Sequence, residues 1–235
     1  MSLRDLVTRA KEARKEKGIL YIVAAAVRVI YWELEFFVAK RGTFEFNGRR
    51  YRYLHRRPNR TWTNERCVEI PIIWKIVCEE PGRILEVGNV LSRYFSCRHD
   101  ILDKYEKGKG VLNFDVVDFK PPSRYDLIIS ISTLEHVGFD PPEGRDSDKI
   151  RQAIENLRKN CLAQSGRIVV TLPLGYNLLF DRMLYEGRLG FTDVFYMKRT
   201  ARNSWVQTDA RHVTDAKYRF MLCTANALVI GEIAH

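Results

Sequence analysis

The chain of 235 residues is 46% hydrophobic, 11% aromatic and 29% charged, a globular balance that suits one α/β domain with an added segment rather than a disordered or fibrous chain. Lys and Arg outnumber Asp and Glu 39 to 29, and the formal net charge of +10 favours an anionic partner, whether nucleic acid, lipid headgroups or a phosphorylated substrate; the plain alternative is a basic, soluble surface. Five scattered cysteines (Cys67, Cys78, Cys97, Cys161, Cys223) include no CxxC pair, which argues against a zinc knuckle or a disulfide framework and for small buried residues in a reducing compartment.

Residues 2–18 are rich in Arg, Lys and Glu and read as a solvated helix. Residues 19–38 are strongly apolar, but Arg28, Glu33 and Glu35 would each be costly at a membrane centre. A narrow polar stripe (Lys17, Tyr21, Ala24, Arg28, Tyr31, Glu35) follows helical spacing, so the remaining surface of this helix needs an apolar partner. Packing against protein, a dimer contact and interfacial membrane contact with basic flanks all fit. No cleavable signal is expected, because the apolar run follows a long charged segment and no small-residue cleavage site comes after it. The expected location is cytoplasmic, with peripheral membrane contact as an open reading.

Residues 43–57 alternate aromatic and polar around Asn47-Gly48, a hairpin signal. Its Phe44, Phe46, Tyr51 and Tyr53 lie either against the core or, interleaved with basic residues, along a nucleic-acid strand. A helix then opens near Asn64-Glu65-Arg66, with Thr63 as N-cap, and runs towards Cys78 with an interruption at Pro71. Residues 1–62 are read as a helix and hairpin extension, and 63–235 as the main α/β domain.

Alternating elements follow. Residues 83–87 form a buried strand after a Pro-Gly turn, and a short helix spans 91–95. Residues 99–103 lead to Asp103, 111–114 form a strand closed by Asp115, and Tyr125–Ile131 a nearly all-apolar strand. Ile150, Ala153, Ile154, Leu157 and Cys161 share one face of a helix over 146–162, and 166–173 is a fifth strand. The region 174–223 is less regular, and 227–233 is a final strand. This alternation predicts a parallel sheet, whose ligand site lies at the carboxyl ends of the strands.

The residues at those ends carry a resemblance. Leu85-Glu86-Val87-Gly88, Leu102-Asp103, Asp115-Val116-Val117-Asp118-Phe119, Tyr125-Asp126-Leu127-Ile128 and Leu134-Glu135-His136-Val137 resemble the successive motifs of class I S-adenosylmethionine-dependent methyltransferases, over about residues 80–175. The resemblance implies a Rossmann-like, mostly parallel seven-stranded sheet with an antiparallel last strand, and S-adenosylmethionine as cofactor. By it Glu86, Gly88 and the adjoining Asn89 meet the methionine end, Asp103 the ribose hydroxyls and Asp115 the adenine edge. Ser130 to Thr133 border the transfer site. The family's first loop usually reads Glu-x-Gly-x-Gly-x-Gly, whereas Asn89-Val90-Leu91-Ser92 follows here, so its second and third glycines are missing. That loop also argues against a nicotinamide site.

A hydroxyl acceptor benefits from a general base, and His136 is the best placed candidate, with Glu135 beside it; the structural alternative is that both simply open the next helix. His55, His99 and His212 show no metal-ligating spacing. No Asn/Asp-Pro-Pro-aromatic signature follows the fourth strand, and Asp140-Pro141-Pro142-Glu143 comes too late for it. The acceptor side is expected from Tyr176, Asn177, Arg199, Arg202, Trp205 and His212. Three readings follow: methyl transfer to oxygen or nitrogen of a small-molecule or glycan-type acceptor, an RNA methyltransferase, or a non-catalytic interaction protein on the same fold.

Overall fold

The computed structural model describes residues 27, 30, 31, 34–37, 42–140, 146, 148–200, 204–219 and 224–234. The chain divides into two compact units, Met1–Lys40 and Arg41–His235. In the first, the described residues are helical. Val27, Ile30, Tyr31, Leu34 and Phe37, at helical spacing, are each more than half exposed. The expected solvated helix over 2–18 lies outside the described residues.

The second unit opens with the hairpin β1 (Thr43–Phe46) and β2 (Arg49–Arg52). Asn47 and Gly48 both take the positive φ that a two-residue hairpin turn demands, 47° and 71°. Phe44 and Phe46 are buried in the core, while Glu45 and Arg50 pair on the outer face. The aromatic residues are therefore packing groups, with Tyr51 and Tyr53 resting on the same cluster.

The helix Arg66–Glu79 continues through Pro71 instead of breaking there. Proline lacks the N–H that would bond the Cys67 carbonyl one turn back, and the Leu54 N–H bonds that carbonyl instead at 2.9 Å. Thr63 is not the cap: its hydroxyl donates to the Arg60 carbonyl at 2.9 Å, and the helix begins after Glu65.

The main sheet comprises β3 (Ile84–Val87), β4 (Asp100–Leu102), β5 (Val111–Leu112), β6 (Tyr125–Ile131), β7 (Leu162–Pro173), β8 (Asp193–Arg199), β9 (Trp205–Thr208) and, two short strands later, β12 (Ala227–Ala234). Their order is β5-β4-β3-β6-β7-β12-β8-β9. The pairs among β3 to β7 are parallel, and β12 runs antiparallel between β7 and β8. The intervening strands β10 (Tyr218–Arg219) and β11 (Thr224–Ala225) form a separate ribbon.

Alternation along the strands fills two cores. Leu85, Val87, Ile128, Ile168, Val170 and Val229 face the helix Lys149–Asn156, which widens into a π-helical turn at Leu157–Cys161, and the helix Leu178–Tyr185. Leu127, Ile129, Ile131, Val169, Leu228 and Ile230 face the helix Arg66–Glu79 and the hairpin. Three sequence expectations are corrected. The third strand closes at Leu112, leaving Phe114 exposed; the fifth begins at Leu162; and the region expected to be irregular supplies a helix and the strands β8 and β9. The sheet thus has eight strands, β9 being an added edge.

Candidate active site

Strands β3, β4 and β6 end side by side, and the residues that follow them line a cavity of about 330 Å³. Gly88 forms one wall. Its φ is +89°, and a Cβ there would overlap the Thr133 side chain that follows β6. The Gly88 N–H donates to the Leu102 carbonyl at 2.8 Å, so the turn after β3 is tied to the end of β4.

Asp103, next along that edge, accepts the N–H groups of Tyr105 and Glu106 on Oδ1 at 2.9 and 2.8 Å. Its Oδ2 has no partner among the described residues. Asp115 lies on the same wall, but its Oδ2 is held by Lys104 and Lys149, each at 2.8 Å. Burial alone would raise the Asp115 carboxyl; the two lysine hydrogen bonds outweigh it and hold the group down to about 2. Tyr105, Phe114, Val116 and Val137 supply apolar surface to the cavity.

Glu86, Asn89 and Ser130 are placed differently. Glu86 is fully buried and does not line the cavity; its Oε1 accepts the N–H groups of Val90 and Leu91 at 2.9 and 2.8 Å, and its Oε2 meets His99 Nε2 at 2.8 Å. Here a buried carboxylate gathers the loop amides. Asn89 donates to Glu106 Oε1 at 2.8 Å and accepts from the Ser92 hydroxyl, closing the loop from outside. Ser130 is buried within β6, its hydroxyl donating to the Val87 carbonyl at 3.2 Å.

His136 lines the cavity opposite Gly88 and Asp103. Its Nδ1 lies 2.5 Å from Asp140 Oδ2, and the Tyr176 hydroxyl is 2.8 Å from that oxygen and 3.0 Å from Nδ1. Burial, then the hydrogen bond to Asp140 and its charge, push the Tyr176 hydroxyl well above the usual tyrosine range, so it stays protonated and can donate. Sequence reading noticed Asp140 only within a proline motif; the useful signal was its position four residues after His136. Nε2 makes no hydrogen bond among the described residues and lies 3.7 Å from Glu135 Oε1, which makes it the nitrogen that can meet a ligand.

Glu135 is turned inward. It is 1% exposed, its Oε2 has no hydrogen-bond partner among the described residues, and burial raises its carboxyl well above the ordinary carboxylate range. Around it lie Glu65, Glu69 and Arg66 from the start of the Arg66–Glu79 helix. Arg66 pairs with Glu69 at 2.8 Å, and Glu69 accepts the hydroxyls of Ser132 and Thr171 at 2.9 and 3.0 Å. Burial and then the neighbouring Glu69 push the Glu65 carboxyl up to about 7. Ser132, next to this cluster, is itself in the left-handed region at φ 39°.

The expected acceptor residues do not gather into one site. Asn177 caps the helix Leu178–Tyr185 and donates to the Glu135 carbonyl at 3.0 Å. Arg199 donates to the Thr63 carbonyl at 2.8 Å, Trp205 is 3% exposed in the core, His212 is exposed, and Arg202 lies outside the described residues.

Seven neighbouring strands, β5-β4-β3-β6-β7-β12-β8, with only β12 reversed among them, are the sheet the sequence motifs imply. This is the class I methyltransferase fold. No protein-family model and no curated protein matches the chain. Solved structures similar to it include the N-methyltransferase NodS from Bradyrhizobium japonicum WM9 (14% identity, TM-score 0.43, covering 77% of this chain and 99% of that one). The glycopeptide N-methyltransferase MtfA complexed with sinefungin is similar at 10% identity and TM-score 0.43, over 70% of this chain and 92% of that one. TehB from Haemophilus influenzae is similar at 9% identity and TM-score 0.41, over 72% and 62%. Within the methyltransferase fold, Gly88, Asp103 and His136 stand at the carboxyl ends of its first, second and fourth strands, where β-α sheets bind ligands.

Proposed function

We propose that this chain uses S-adenosylmethionine to methylate an oxygen or nitrogen of a small-molecule or glycan-type acceptor. The observation that carries the reading is the convergence, on one cavity, of a positive-φ glycine, a carboxylate with one oxygen unpaired among the described residues and a His–Asp pair. The residues present fit the cofactor. A cavity of about 330 Å³ lies in the range of small-molecule sites, roughly 300–1,000 Å³. Gly88 leaves backbone where a side chain would obstruct, Asp103 would hold the ribose hydroxyls through Oδ2, and Tyr105, Phe114 and Val116 offer apolar surface to a purine. Asp115 would reach the adenine edge only in competition with Lys104 and Lys149.

Bound S-adenosylmethionine supplies an electrophilic methyl group. The chain's own contribution is position and proton handling. His136 accepts the acceptor's proton at Nε2, while Asp140, on Nδ1, fixes the ring and stabilises the imidazolium. Tyr176 holds Asp140 by donating to it. Glu135 is too deeply buried to meet an acceptor, which leaves His136 as the base.

We further propose that the protein is cytoplasmic and peripheral to a membrane, and that its acceptor is held there. The apolar stripe Val27, Ile30, Tyr31, Leu34 and Phe37 supports this, as do the basic residues of the first 17 positions. Among the described residues, no helix is long and apolar enough to cross a membrane. The RNA reading keeps the +10 charge in its favour but loses the hairpin as a stacking platform, since Phe44 and Phe46 are buried.

Incubation with methyl-labelled S-adenosylmethionine and separated lipid-linked, soluble glycan and RNA fractions tests the reading. Label is expected in the first two, falling by about 10²–10⁴-fold in His136→Ala. Label confined to RNA would overturn the acceptor class.

A further inference from the structure

Val87 lines the cavity just described, whereas Ile84, three residues earlier on β3, lines a separate cavity of about 450 Å³ on the other face of the strand. Cys97, His99, Cys78 and Asp100 also line this second cavity. Two of them meet the inward-turned Glu86: one ligand atom from each of Glu86, Cys97 and His99 lies within 4.8 Å of the other two. The His99 ring is 5% exposed and the Glu86 carboxylate 0%. Glu86 is already aimed, because the Val90 and Leu91 amides hold Oε1 and leave Oε2 towards His99. Cys97 is a free thiol whose Sγ makes a long 3.7 Å approach to the Phe95 carbonyl.

We propose that Glu86, Cys97 and His99 form a binding site for a divalent metal ion of the zinc class, with an open coordination position towards the cavity. A thiolate, an imidazole and a carboxylate together suit a borderline-soft ion; magnesium and calcium take all-oxygen sets. Zinc–nitrogen and zinc–oxygen bonds are about 2.0–2.2 Å, so tetrahedral placement would open the His99–Glu86 separation of 2.8 Å by roughly half an ångström. Binding needs the His99 proton on Nδ1, so the Nε2 proton shared with Glu86 moves there by tautomer exchange through solvent; the Glu86–His99 hydrogen bond gives way to two metal bonds, and the Cys97 thiol proton is released to solvent. The backbone amides on Glu86 Oε1 are the outer partners that such a ligand needs. The ion would tie the end of β3 and its glycine-poor loop to the segment entering β4. This site is independent of methyl transfer and stands or falls separately from it.

The test is titration of the full, reduced, chelator-treated protein with cobalt(II) chloride, followed by displacement with zinc chloride. One equivalent of cobalt is expected to give the visible bands of a tetrahedral site and a thiolate charge-transfer band, both removed by zinc. Cys97→Ser should abolish the charge-transfer band, and His99→Gln should weaken cobalt at least tenfold. Cys78→Ser, which changes the same cavity outside the cluster, should change neither. Since His99→Gln strands a buried carboxylate, Cys97→Ser is the deciding variant, with its near-ultraviolet circular dichroism recorded as a check of folding. Folded wild-type protein that binds no cobalt overturns the proposal. So does a charge-transfer band that survives Cys97→Ser or is lost with Cys78→Ser.

Discussion

Gly88 and Glu65 show what single residues carry. At Gly88 a side chain would need both the left-handed backbone region and the space held by Thr133. Strain of this kind costs about 1–3 kcal/mol. Gly88→Ala is therefore expected to lower the unfolding free energy by that amount and to abolish cofactor binding; urea unfolding and a binding titration check both, and an unchanged variant would contradict the site. Glu65 is buried beside Glu69, and its folded pKa of about 7 stands above the ordinary 4.5. Because the folded state holds this proton more tightly than the unfolded chain does, its contribution is full below pH 4.5 and is lost as pH rises through about 7. Glu65→Gln keeps an acceptor for the Ala225 amide but no longer ionises. Relative to wild type, the variant should gain on the order of 1–3 kcal/mol between pH 5 and pH 7.5. Denaturant unfolding at the two pH values measures this, and a constant difference would refute it.

At the scale of elements, what could be read from the sequence was what depends on neighbours in the chain. The Asn47-Gly48 hairpin, the apolar run Tyr125–Ile131 and the carboxylate Asp103 after β4 each declare themselves locally. The missed features depend on distant partners. Pro71 sits in a continuous helix because Leu54, far back in sequence, bonds the orphaned Cys67 carbonyl. β8 is a mostly half-buried strand and β9 the exposed edge beyond it, so their strand character comes from pairing, β8 with β12 and β9 with β8, rather than from a clean alternation. The site divides in the same way. Gly88, Asp103 and His136 reach the cavity, but the side chain of Glu86 emerges on the other face of β3, and two lysines brought by the fold occupy Asp115. Neither fact is written in a motif. The missing glycines have a counterpart here, since the loop that replaces them is gathered by the Glu86 carboxylate.

For the whole molecule, the sheet decides where chemistry can occur, and the surface decides where the protein works. The helix of the first unit carries an apolar stripe, and the chain has a net charge of +10, so co-sedimentation with anionic vesicles is expected to exceed that with neutral ones. Leu34→Glu combined with Phe37→Glu should abolish it, whereas equal sedimentation by wild type and variant would contradict peripheral attachment. The central claim is that the cavity at the ends of β3, β4 and β6 holds S-adenosylmethionine. Its most direct test is calorimetric titration of S-adenosylmethionine and S-adenosylhomocysteine into wild-type protein and Asp103→Ala. Saturable binding at one site is predicted, weakened about 10–100-fold by loss of the charged acceptor. No heat of binding from folded wild-type protein, or equal affinity in the variant, would contradict the account.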